Sequence, residues 1–359
     1  RSAREDLGPV NRGHRAGRRR VRRKRRSTAV LNRDQIVTTN IAEMIEEIIA
    51  DVDLGIPVCL RGEPGLGKTQ GTYQAADRMG RVMRVIRAPY WDAVDLRGMP
   101  SIENGLTHWR PPAELPQPGC PDTVLLVDEL NRAPISVQNA LMQLVEERRM
   151  GAYTLPDNVG VVLALNPSGK GTSSSVEALS NRMIHLHVVP DLQTFSSYAI
   201  KARFHAAVIG YTRFNSAALH AYKPGAVAFP SPRTWEFTSK ILYKNLPDAS
   251  ERRQVCGAIG EEHGLPFLGW YATYKRLPNM DAIVNDPANA PVPTEAAVLF
   301  AVSAELSRRM TEANIGRILT YLDRCPDEFD RFAVVDATRR EPALQHTPEY
   351  TAWCVAHPN

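Results

Sequence analysis

"GEPGLGKT", residues 62–69, stands between the apolar run "IPVCL" (56–60) and "QGTYQAADRMG" (70–80). The flanks read as a strand and a helix, so the glycine-rich turn exposes consecutive backbone N–H groups at a helix N-terminus. That end of the helix dipole favours an anion. The spacing G-x-x-x-x-G-K-[ST] is met in full by Gly62, Gly67, Lys68 and Thr69, which is the pattern of a phosphate-binding loop. In such a loop Glu63, Pro64, Gly65 and Leu66 wrap the phosphates with Gly62 and Gly67. Lys68 reaches the β- and γ-phosphates, and the Thr69 hydroxyl serves Mg²⁺. ATP and Mg²⁺ are therefore the expected ligands.

Sixty residues on, "DTVLLVDE" (122–129) is a short continuous apolar run ending in two acids. A strand buried on both faces of a parallel sheet has that composition, and ligands bind at the C-terminal edge of such strands. Asp128 there suits a metal-bound water, and Glu129 suits polarising the water that attacks the γ-phosphate. The run "VGVVLALNP" (159–167) ends at Asn166, a neutral amide able to hydrogen-bond a phosphate or the attacking water. Asn166 before Pro167 also fits a plain turn.

Outward from these runs the elements alternate. "QIVTTNIAEMIEEIIADV" (35–52) carries apolar residues at helical spacing, "RVMRVIRA" (81–88) and "MIHLHVV" (183–189) read as strands, and "PISVQNALMQLVEERRM" (134–150) reads as a helix. The "ENG" of "MPSIENGLTHW" (99–109) suits a tight hairpin. Strands alternating with helices predict an α/β fold with a mainly parallel sheet. After Pro190 strand signals stop and helices follow, with a domain boundary in the region 190–225. The expected division is a basic tail at 1–33, an α/β ATPase core at 34–195, and a helical lid with further helices at 196–359.

Charge separates the tail from the body. Residues 1–33 hold thirteen basic and two acidic residues, +11, which leaves −6 for residues 34–359 of a chain with net charge +5. "RRRVRRKRR" (18–26) can bind nucleic acid or another polyanion through counterion release, or remain a solvated arm. The five cysteines are scattered without a C-x-x-C pair, which points to reduced thiols, a cytoplasmic setting and no zinc site. No apolar run approaches a membrane span, and the basic N-terminus lacks the apolar stretch of a signal peptide.

"VDELNRAPISVQNALMQLVEERRMGAYTLP" (127–156), "LALNP" (163–167) and "EALSNRM" (177–183) together resemble the MoxR family of AAA+ ATPases, over about residues 35–245. The resemblance implies an AAA+ P-loop NTPase followed by an all-helical lid. It implies Asn166 as sensor 1, Arg182 as an arginine finger, and Arg233 in "FPSPRTWEF" (229–237) as sensor 2. Arg132, in "NRA", is a second arginine able to face a neighbouring subunit. A homo-oligomeric ring, usually a hexamer, is implied as well. So are a hairpin inserted in helix 2 at 95–112 and a protein partner, often one with a von Willebrand factor A domain. Ser180-Asn181 departs from the family, which more often has an acid directly before the arginine. Two other functions fit parts of the sequence: a nucleic-acid-associated motor, through the tail, and a nucleotide-gated scaffold with little turnover. Glu129 counts against the scaffold, which needs no water-polarising carboxylate.

Overall fold

A computed structural model describes residues 37–166, 181–275, 277 and 279–357. The basic run at 18–26 lies outside the described residues. The first part comprises β1 (Thr38–Thr39), α1 (Ile41–Asp53), β2 (Val58–Arg61), α2 (Lys68–Arg78), β3 (Val82–Arg87) and α3 (Ala93–Arg97). It continues with β4 (Met99–Glu103), β5 (Leu106–Arg110), β6 (Thr123–Asp128), α4 (Ile135–Glu147), β7 (Arg149–Met150), β8 (Tyr153–Thr154), β9 (Val159–Leu165) and β10 (Ile184–Val188). Among the described residues six strands form one sheet in the order β1-β10-β2-β9-β6-β3, with every pairing parallel.

Side chains alternate across this sheet. Cys59, Leu125, Val127, Val161 and Leu163 enter a core closed by α4, while Val58, Leu60, Val124, Leu126 and Val162 pack against α1 and α2. Burial on both faces explains why these strands are apolar without interruption. The helix over 35–52 begins only at Ile41. Asn40 caps it, accepting from the Ala42 and Glu43 N–H groups while Glu43 returns a bond to the Asn40 N–H. That capping box fixes the start, and the residues just before it extend into β1.

β4 and β5 pair antiparallel around Asn104-Gly105, whose φ angles of 50° and 74° are those of a two-residue hairpin turn with both central residues left-handed. The hairpin follows the five-residue α3, but no helix resumes between it and β6. The insertion is therefore a hairpin after a helical turn rather than one within a continuous helix. The small β7–β8 hairpin was not expected from "RRMGAYTLP".

Helices alone follow: α5 (Leu192–Lys201), α6 (Ala206–Phe214), α7 (Pro232–Leu242), α8 (Asp248–Ile259), α9 (Glu261–Tyr274) and α10 (Met280–Asn285). The last are α11 (Ala296–Arg309), α12 (Ile315–Leu322), α13 (Asp327–Arg340) and α14 (Pro348–Ala356). Residue 195 lies inside α5, which Asp191 caps through the Thr194 N–H. The change from sheet to helices thus falls at Pro190-Asp191. Two apolar clusters hold the helices: one around Trp235 and Phe267, the other around Tyr321 and Phe329. No helix among the described residues is long and apolar enough to cross a membrane.

Candidate nucleotide site

The ends of β2, β9 and β6 lie side by side, and their registers bring distant residues together. The Gly62 N–H donates to the Leu165 carbonyl at 3.3 Å, and the Glu129 N–H donates to the Ala164 carbonyl at 2.9 Å. Gly62, Asn166, Asp128 and Glu129 therefore meet at one sheet edge. Two glycines of the loop are required there for different reasons. A Cβ on Gly62 would come within 2.7 Å of the Val188 carbonyl. One on Gly65, at φ 84°, would come within 2.5 Å of the Ser231 hydroxyl. Both contacts are closer than real side chains tolerate, so the loop packs directly on β10 and on the start of α7.

Lys68 opens α2 and is buried. Its ammonium donates to the carbonyls of Gly62 (2.7 Å) and Glu63 (3.0 Å) and to Asn166 Oδ1 (2.8 Å). Burial lowers its pKa to about 8; Arg233 pushes the same way, and Asp128 and Glu129 oppose. The Asn166 amide is oriented by chemistry alone. Lysine only donates and an ionised carboxylate only accepts, so Oδ1 turns to Lys68 while Nδ2 donates to Glu129 Oε1 at 3.4 Å. The Asn166 backbone carbonyl accepts from Asn131 Nδ2 at 2.8 Å.

The Thr69 hydroxyl donates to Asp128 Oδ2 at 3.0 Å. A hydroxyl and a carboxylate oxygen side by side are hard oxygen donors of the kind Mg²⁺ takes, so these residues fit the ion. Glu129 holds a left-handed φ of 56°, uncommon for a residue with a side chain. Its half-exposed carboxylate is shared between the Asn166 amide and Arg132, at 3.4 Å and 3.5 Å from the guanidinium.

Arg233 sits in the first turn of α7, after Ser231 as N-cap and Pro232 at the first helical position. Its N–H donates to the Gly65 carbonyl at 3.3 Å. A cavity of about 510 Å³ opens beside the loop, lined by Gly65, Gly67, Thr69 and Arg233 together with Tyr73 and Tyr198. The two tyrosines carry no motif and were not legible in the sequence. Neither was His220, whose side chain is only 3% exposed. Its Nε2 lies 3.1 Å from the Pro64 carbonyl and its Nδ1 3.3 Å from the Glu63 carboxylate. Glu63 and Pro64, read as phosphate-wrapping residues, thus also anchor the loop to the helical region.

Arg182 stands apart from this group. It does not line the cavity beside its own loop; it is half-exposed and ion-paired with Glu146 of α4. The acid that Asn181 fails to supply in sequence comes instead from a helix more than thirty residues upstream.

Residues 57–183 match the family model of the AAA domain, dynein-related subfamily. With the parallel sheet and the helices that follow, this defines an AAA+ P-loop fold and an ATP hydrolase. No curated protein matches the chain. Among solved structures it is similar to a "putative ATPase" from Cytophaga hutchinsonii, at 19% identity and a TM-score of 0.35, covering 83% of this chain and 81% of the other. A RuvB variant from Thermotoga maritima gives 17% identity and a TM-score of 0.36, with 79% and 86% covered. NtrX from Brucella abortus gives 12% identity and a TM-score of 0.38, with 84% and 69% covered.

Proposed function

We propose that the chain is a Mg²⁺-dependent ATPase that assembles into a ring and uses hydrolysis to remodel a partner protein. The observation that carries this reading is the division of the two arginines. Arg233, in the first turn of α7, lines the cavity beside the phosphate loop, whereas Arg182 is half-exposed on the core and paired with Glu146. An arginine turned away from its own nucleotide is suited to a neighbour's, which requires an assembly.

In this reading Lys68 exchanges the Gly62 and Glu63 carbonyls for phosphate oxygens, a charge-assisted contact stronger than the bonds it gives up. Thr69 and Asp128 would hold Mg²⁺, which when bound neutralises charge across the β- and γ-phosphates. Glu129 accepts the proton of the attacking water, and Asn166, bonded to both Lys68 and Glu129, keeps that carboxylate aimed. Arg233 ties the lid to the loop, so loss of the γ-phosphate alters what holds α7. Lid movement is the output that acts on the partner. The resemblance to MoxR ATPases supports a partner with a von Willebrand factor A domain and a ring of six. Five cysteines without a disulfide support a cytoplasmic setting.

Subunit mixing tests the reading. Arg182→Ala and Lys68→Ala are each expected to be inactive alone, the first lacking a donor for its neighbour and the second lacking its own phosphate contact. A Lys68→Ala subunit still donates Arg182, so a mixture rebuilds complete sites and recovers part of the ATPase activity. Full activity of Arg182→Ala alone removes that residue from the mechanism and leaves Arg132 as the candidate.

The basic run at 18–26 favours a second reading, a nucleic-acid-associated motor. It predicts ATPase stimulation by DNA or RNA that falls steeply with salt and disappears when residues 1–33 are deleted.

A further inference from the structure

A second cavity, of about 340 Å³, lies far from the phosphate loop in sequence, among α5, α6, α11 and α13. Arg203, Arg308 and Arg340 all line it, with Tyr243 beside them and Phe204 and Ile209 among its apolar residues. Its charges are unevenly satisfied. Asp336 is bound through both oxygens by Arg213. Arg308 is paired with Glu305. Among the described residues Arg340 meets only the Ser307 and Met310 carbonyls at the end of α11, and its Nε is buried with no partner there. Arg203 makes no ion pair among the described residues, and Glu341, exposed on the same cavity, pairs with neither arginine. Burial lowers the Arg340 pKa; Glu341 opposes this, while Arg308 and Arg203 add to it. Arg308 is answered by Glu305, and against the single unpaired carboxylate of Glu341 the cavity sets Arg203 and Arg340, a surplus of positive charge that an anion would offset.

Arg203 also occupies a position where its side chain is a cost. It follows α5 with a left-handed φ of 57°, and the bonds Arg203 N–H to Ile200 and Phe204 N–H to Ala199 complete a Schellman cap. Glycine is the usual residue there. Arg203 is exposed, makes no ion pair among the described residues and lines this cavity, so its guanidinium is available to a ligand there.

We propose that this cavity binds a small organic phosphate, its phosphoryl oxygens held by Arg203 and Arg340 and its apolar part against Phe204 and Ile209. Paired guanidinium forks match phosphate oxygens, and the volume is at the small end of ligand pockets. The site is separate from the nucleotide site and stands whether or not the chain forms a ring.

Phenyl phosphate is the probe, titrated calorimetrically without Mg²⁺ into the full chain, into Lys68→Ala and into Arg203→Gly. Saturable binding is expected in the first two, with affinity lowered at least about tenfold in Arg203→Gly, the loss of one charge-assisted contact. Glycine suits the left-handed backbone, so this variant stays folded and its ligand-free melting temperature should rise rather than fall. No binding to the parent chain overturns the proposal. So does binding that Lys68→Ala abolishes, or that Arg203→Gly leaves unchanged.

Discussion

Lys68 Nζ donates to Asn166 Oδ1 at 2.8 Å, joining residues 98 positions apart in the chain. Because the same amide donates to Glu129, one side chain ties the lysine proposed to bind phosphate to the carboxylate read as the base. Asn166→Asp keeps the shape but puts a second carboxylate against Glu129, where the amide had donated. Turnover should fall about 10²-fold or more, as when one preorganised donor is removed from a site, while the ATP KM changes only a few-fold. A fall in affinity as large as the fall in kcat contradicts a role in orienting the base.

The two halves of the site should separate by mutation. Lys68→Ala removes the charged phosphate contact and is expected to abolish ATP binding. Glu129→Gln keeps the loop, its cation and the hydrogen-bonding shape of the side chain, so it should bind ATP and lose hydrolysis. Binding by fluorescence titration and turnover by phosphate release decide it. Hydrolysis at the parent rate in Glu129→Gln removes that residue from the reaction.

The buried lysine gives the site a pH signature. Its pKa of about 8 means that its charge is lost above pH 8 in the nucleotide-free protein. Phosphates favour the charged form, so nucleotide binding draws a proton in as pH rises past 8. ATP affinity should be level from pH 7 to 8 and then decline by up to tenfold per unit. Folding has the opposite sign. The unfolded lysine titrates at 10.5, so between about 8 and 10.5 the unfolded chain holds more protons and this group's contribution to stability increases with pH. An ATP dissociation constant flat from pH 7 to 9.5 contradicts the assignment.

Most of the sheet, and the residues that it brings to one edge of the candidate site, were legible in the sequence for the same reason. Strands such as Thr123–Asp128 are buried on both faces and so are written as unbroken apolar runs. Lys68, Thr69, Asp128 and Glu129, the residues of the proposed site, stand at fixed offsets from those runs. Other parts were not legible. β1 is two residues long and exists only through pairing with β10, so its sequence carries no period. His220 lies in a loop and reaches the phosphate loop across 156 residues; nothing local distinguishes it from a solvated histidine. Glu146, the partner of Arg182, is equally invisible in sequence, because it lies on α4, 36 residues before the arginine.

His220 provides a test of how the loop is held. Its ring contacts the Pro64 carbonyl and the Glu63 carboxylate from within a buried setting. His220→Ala leaves both acceptors without that partner. A stability loss of about 1–3 kcal/mol is expected in chemical denaturation, with weaker ATP binding because the loop is less preorganised. His220→Asn, whose amide offers one nitrogen in place of the two ring nitrogens, should fall between. Unchanged nucleotide affinity in a destabilised His220→Ala limits this histidine to packing.

Arg182 on the core is ion-paired with Glu146 of α4, and in the proposed ring this pair would hold the arginine offered to the neighbour's nucleotide. If Arg182 acts as a finger, Arg182→Ala should lower kcat by about 10³-fold or more while leaving ATP affinity within a few-fold, since its own loop is intact. Glu146 touches the arginine but carries no charge that would help phosphoryl transfer, so its effect can run only through Arg182. Glu146→Gln should therefore reduce kcat less than Arg182→Ala does. The double variant should be no slower than Arg182→Ala alone, because removing the arginine already removes what Glu146 positions. Additive losses in the double variant, or a larger loss from Glu146→Gln than from Arg182→Ala, mean that Glu146 acts on the fold of α4 and not through the finger.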